Sequence, residues 1–205
     1  MDINYLLKGI VIGFSIAAPV GPIGVLCIRR TLADGRAAGL LAGLGAATAD
    51  AFYGCVAGFG MTLISSFLVS QQTWISLLGG AFLCYLGVKT LLTKPAQEPA
   101  NIKKKGLLGS YISTFFLTLT NPMTILSFAA IFAGLGLASE STNYSSAGIL
   151  VLGVFIGSAA WWLLLSGVVG LFREKFGLKA MQWVNRISGM IILGFGIFAL
   201  VSLIN

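Results

Sequence analysis

One carboxylic acid, Asp50, stands deep inside an apolar stretch of this 205-residue sequence. It lies thirteen positions beyond Ala37, about 20 Å along a helix that rises 1.5 Å per residue. Burying a carboxylate at such depth in hydrocarbon costs roughly 2.5–3.5 kcal/mol even on a gentle insertion scale, so the group must be protonated, paired or hydrated in a cavity. A carboxyl removed from water holds its proton more tightly, which is what a proton-coupled carrier requires, and the same group can hold an ammonium. A structural hydrogen bond to a neighbouring helix break is the alternative use.

Two helix-breaking clusters could complete such a site. Pro19-Val20-Gly21-Pro22 interrupts the first apolar stretch, and Asn121-Pro122 interrupts the fourth. Proline withdraws a backbone donor and disfavours helical geometry at the residue before it. An interruption within hydrocarbon is tolerated only where protein or a water-filled cavity surrounds it. Pro22 and Pro122 suit the first position of a new half-helix, with Gly21 and Asn121 in the capping positions. The N–H groups and positive dipole end of each half-helix suit an anion such as a carboxylate. The preceding ends, around Ala17-Ala18 and Leu119-Thr120, would offer carbonyls to an ammonium or cation. Thr118, Thr120 and Thr124 add hydroxyls nearby, although threonines in membrane helices commonly bond their own backbone.

The elements that must position these groups are membrane helices. Hydrophobic residues make up 57% of the chain and charged ones 9%, at a mean hydropathy of +0.96, whereas soluble domains carry about a quarter charged residues. The length suits about six spans packed as one domain. They are expected at about residues 5–28, 37–61, 74–92, 107–137, 147–171 and 183–204, the fourth too long for one straight span. The amino-terminal Met1-Asp2-Ile3-Asn4-Tyr5 lacks the basic region of a secretory signal, so the first segment is expected to be retained.

Charge sets the topology. Placing the connections after segments one, three and five in the cytoplasm puts twelve of the thirteen lysines and arginines there and leaves Lys8 outside. This obeys the positive-inside rule and puts both termini outside. Arg29, Arg30, Asp34 and Arg36 are expected to form a short basic loop. The run Lys103-Lys104-Lys105 reads as a topology signal with possible anionic-lipid contact, not as a nucleic-acid patch.

The polar connection divides the chain into a first three-helix repeat (residues 1–92), a basic cytoplasmic linker (93–106) and a second repeat (107–205), all within one transmembrane domain. Gly80 to Gly87 matches Gly189 to Gly196 in glycine spacing. Three spans per half require inversion across the membrane, and breaks at corresponding positions of two halves point to a transporter site. Glycines 35, 39, 43, 54 and 58 form a stripe suited to close packing, within the chain or in a homodimer.

Histidine is absent, and Cys27, Cys55 and Cys84 stand singly. The usual general base, thiolate metal site and disulfide framework are therefore missing, so neither an intramembrane enzyme nor a cofactor or metal site is expected. The cysteines read as packing residues.

Gly13-Phe14 with Pro19-x-Gly21-Pro22, the glycines of segment two leading to Asp50, Asn121-Pro122, and Gly189 to Gly196 together resemble the LysE family of bacterial amino-acid exporters. The likeness covers essentially the whole chain in order. It differs from many members in carrying Val20 inside the proline-glycine motif and Met123 after Asn-Pro. The resemblance implies a multi-pass bacterial inner-membrane exporter of amino acids driven by the proton motive force. Carried onto this sequence, it places the functional motif at Pro19, Gly21 and Pro22, the acid at Asp50 and the second break at Asn121-Pro122.

The reading that follows is a secondary transporter exchanging a small amino acid for protons. Its substrate-binding set is Pro19, Gly21, Pro22, Asp50, Thr120, Asn121 and Pro122, with Asp50 also coupling the proton. Trp161 and Trp162 are candidates for the pocket wall. Two other readings are an inorganic cation exporter, limited to hard cations by the lack of soft ligands, and a non-transporting scaffold subunit packed through the glycine stripe.

Overall fold

The structure, a computed structural model, describes residues 2–19, 21–59, 70–92, 104–121, 124–125, 127–128, 144–173 and 177–203. Apolar runs of this length satisfy their own backbone groups as helices. Seven are formed among the described residues: α1 (Asp2–Ala17), α2 (Pro22–Asp34), α3 (Arg36–Gly58), α4 (Gln72–Leu92), α5 (Lys104–Leu119), α6 (Tyr144–Leu171) and α7 (Leu178–Val201). Helices α3, α4, α6 and α7 are long and apolar enough to cross a membrane, α1 and α2 form a broken pair bent by 81°, and α5 is a shorter apolar helix. Val20, Pro122, Met123 and most of segment four beyond residue 128 lie outside the described residues.

The surface is apolar and the interior holds polar groups. Ile3, Leu7 and Val11 of α1, Leu152, Ile156 and Leu163 of α6, and Ile187, Met190 and Ile191 of α7 face outward, whereas Asp50, Thr114, Thr118, Ser158 and Asn185 are buried. Hydrocarbon outside the bundle requires this arrangement.

Small residues set the register and direction of the packed pairs. A Cβ at Gly13 would lie 2.1 Å from the Val154 carbonyl oxygen, and one at Gly157 would lie 2.1 Å from that of Ile10, so α1 and α6 run parallel in backbone contact. Gly43 packs on Trp162 and Gly58 beside Ala147, which makes α3 antiparallel to α6. Gly80 meets Gly196 and Gly87 meets Gly189, which makes α4 antiparallel to α7. The stripe of segment two is used within the chain: Gly39, Gly43 and Gly54 face Thr31, Trp162 and Val154. Gly157→Val is expected to push α1 off α6, at a cost of about 1–3 kcal/mol or more. A lowered melting temperature in detergent checks it, and an unchanged one would contradict the contact.

The expected basic loop is not a loop. Arg29, Arg30 and Asp34 belong to α2, and Arg36 opens α3. Gly35 alone makes the turn, with φ at 98° and its N–H donating to the Thr31 carbonyl at 3.1 Å. That left-handed conformation favours glycine and lets one residue replace a loop. Helix α2 continues because Arg30 finds polar partners inside the bundle. Helix α5 begins at Lys104, within the tri-lysine run. The helix directions gather Arg29, Arg30, Arg36, Lys89, Arg173, Lys179 and Arg186 toward one end of the bundle.

Candidate functional site

The first break behaves as the proline chemistry requires. Gly21 caps α2 in extended geometry, with φ −99° and ψ −165°, and Pro22 opens the helix. The Gly21 N–H donates to the Pro19 carbonyl at 2.9 Å, and the Gly21 carbonyl accepts from Val25 N–H at 3.1 Å. Ile23 and Gly24 supply N–H groups of the first turn. At the second break, α5 stops at Leu119, and the Asn121 carbonyl accepts from the N–H groups of Thr124 at 3.1 Å and Ile125 at 3.2 Å. Asn121 thus starts a new helical turn as its capping residue. Pro122, expected to open it, lies outside the described residues.

Both breaks border one cavity of about 800 Å³. Of the residues expected to bind substrate, Pro19, Gly21, Pro22, Asp50 and Asn121 line it, as do Thr118, Thr124 and Trp162. Thr120 is not brought there. Its hydroxyl donates to the Phe116 carbonyl at 2.9 Å, and its own carbonyl packs against Gly79 of α4. Thr118 likewise donates back, to Thr114 at 2.9 Å. The two tryptophans divide: Trp162 walls the cavity, while Trp161 packs edge-on against Phe14, with ring centroids 5.3 Å apart.

Asp50 is 3% exposed. Its Oδ2 accepts from the Ser158 hydroxyl at 2.7 Å, and Ser158 Oγ accepts from Trp162 Nε1–H at 3.2 Å. A donor chain from α6 therefore fixes the carboxyl of α3 at the cavity wall. Hydrogen bonds to a charged group are the stronger class, and each member of a buried chain polarises the next. One turn on, the Tyr53 hydroxyl donates to the Leu119 carbonyl. This corrects the expectation of a free carbonyl at Leu119: α3 supplies that oxygen with a hydrogen-bond donor.

Several lining residues are not evident from sequence motifs. Thr73 and Ser76 of α4, Phe195, Phe198 and Ala199 of α7, and Ser202 just beyond it contribute to the wall. Ser158 was findable in principle: laying the small residues of α3 against those of α6 in antiparallel register sets it opposite Asp50.

An apolar exterior, broken helices and an internal cavity with a buried carboxyl in its wall describe a multi-pass α-helical membrane protein. The chain belongs to the LysE family: the family model described as LysE type translocator matches residues 14–203. It is 31% identical over 202 residues to a Bacillus subtilis (strain 168) protein named "Putative amino acid efflux protein YcgF", covering 95% of this chain and 94% of that one. It is 29% identical to an Escherichia coli (strain K12) protein named "Uncharacterized membrane protein YahN", covering 84% and 77% of the two chains. The "Threonine efflux protein" of the same strain is 22% identical, with 89% and 90% covered. No solved structure matches the chain.

Proposed function

We propose that this protein is a bacterial inner-membrane carrier that exports a small amino acid from the cytoplasm in exchange for protons. The observation that carries the reading is the meeting of Asp50 with both helix breaks on one cavity. The substrate carboxylate sits at the helix starts after Gly21 and Asn121, where the dipoles favour an anion, and takes the first-turn N–H groups of Ile23 and Gly24. The ammonium sits on Asp50, which releases it when a proton arrives from outside. Ile23, Leu83 and Phe195 leave an apolar face for a neutral side chain. The names of the relatives, amino acid efflux and threonine efflux, support the same class of cargo.

The basic end faces the cytoplasm and both termini face outward, as the positive-inside rule directs. Two inverted repeats rock about the site. In support, α1 packs on α6 as α3 packs on α5, and the glycine pairs of α4 and α7 exchange under the same relation. Profiling amino acids released by expressing and control cells tests the export. One or a few species should rise in the medium and stop rising under a protonophore; a profile identical to the control contradicts the proposal.

A further inference from the structure

Helix α2 serves two places. Its first residues, Pro22 to Gly24, wall the cavity, but nothing of it beyond Gly24 does. The lining instead reaches Thr73 and Ser76 near the start of α4 and Ser202 and Leu203 past the end of α7. Those positions lie toward the end of the bundle opposite the arginines. Bent by 81° from α1, α2 packs against α3, α5, α6 and α7 on the other side of the cavity. Helix α2 thus runs from the cavity wall at Pro22 to the basic end at Arg29 and Arg30.

Arginines fasten α2 there. Arg30, 8% exposed, donates through Nη1 to the Ser110 carbonyl at 2.8 Å and Thr114 Oγ1 at 2.7 Å, and through Nη2 to Ser113 Oγ at 2.8 Å, all on α5. Arg29 Nε–H donates to Asn185 Oδ1 of α7 at 3.1 Å. Arg173, beyond α6, donates to the Leu32 and Ala33 carbonyls at 3.2 and 3.4 Å. These bonds tie one helix to three neighbours through polar groups that water can take over when they part. Exchanging such bonds for water has a small net cost, whereas separating apolar faces costs in proportion to area.

We propose that α2 is the cytoplasmic gate of the cavity and that Arg30, assisted by Arg29, is its latch. Release of Arg30 from α5 and Arg29 from α7 lets α2 lift, admits cytoplasmic substrate to Asp50 and moves Gly21 and Pro22 with it. Arg30 is a positioning residue: it acts through α2 and touches no substrate. The proposal rests on the export reading for its purpose, but the gate can be observed without any substrate.

Cys27 is the reporter, being wholly buried on α2. In Cys55→Ser/Cys84→Ser protein, inside-out vesicles expose the cytoplasmic face to a membrane-impermeant maleimide. Arg30→Gln should speed modification of Cys27 at least about tenfold, as expected when the closed state loses even one charge-assisted bond. Asn185→Ala, which spares the Arg30 cluster, should speed it less. Unchanged rates in both variants, or acceleration only in right-side-out vesicles, overturn the proposal. A second arm avoids any question of Arg30→Gln folding: Arg29→Cys/Asn185→Cys in a background otherwise without cysteine, bridged by a reducible bis-thiol cross-linker. Bridged protein should stop exporting and recover on reduction. Wild-type export while bridged overturns the gate and leaves the export reading standing; absence of export by the unsubstituted protein counts against that reading alone, since the maleimide arm still decides the gate.

Discussion

Asp50→Asn is expected to abolish export while leaving the fold in place. The amide is isosteric with the carboxyl, and the Ser158 hydroxyl, now 2.7 Å from Oδ2, can still donate to the amide oxygen. Exchanging one such hydrogen bond for a neutral one changes stability by about 1 kcal/mol. Transport loses far more, because an amide neither releases a proton nor holds an ammonium by charge. We expect efflux to fall at least about a hundredfold, since a few kcal/mol of lost interaction with a cation corresponds to that factor. Efflux rate and melting temperature at matched expression check it. Normal efflux would remove Asp50 from the mechanism, and a collapsed fold would assign it a structural role.

Gly21→Val separates a ligand requirement from a folding requirement. Among the described residues nothing lies within 4 Å of a Cβ built at Gly21, and its φ of −99° is open to any residue. The fold therefore does not demand glycine here, in contrast to Gly157. A valine side chain would instead stand at the start of α2 beside the cavity and keep a carboxylate from the first-turn N–H groups. Melting temperature should be unchanged, and the substrate concentration for half-maximal transport should rise at least about tenfold, which corresponds to 1.4 kcal/mol of binding. Wild-type transport by this variant would mean that the carboxylate binds elsewhere.

Much of the candidate site was legible because rare residues mark it. Proline and a lone acid are costly in apolar helices, and Pro19, Gly21, Pro22, Asp50 and Asn121 do meet at one cavity. What escaped depended on tertiary contacts. Arg29 and Arg30 look like a loop because arginine is costly in hydrocarbon, but two hydroxyls and a carbonyl on α5 keep Arg30 within a helix. The Leu119 carbonyl looks free until Tyr53 reaches it from α3. Thr120 shares its type with Thr118 and Thr124, yet helical periodicity turns it toward α4 while the others line the cavity. The wall from α4 and α7 carries no unusual residue, so only their packing discloses it.

The most direct test of proton-coupled export uses purified protein in liposomes holding a labelled amino acid found in the efflux profile and a pH-sensitive dye. Imposing an acidic exterior should drive label out and acidify the lumen together with wild type, and neither with Asp50→Asn. Label leaving at the same rate with and without the pH gradient, or equally through the variant, would contradict the account.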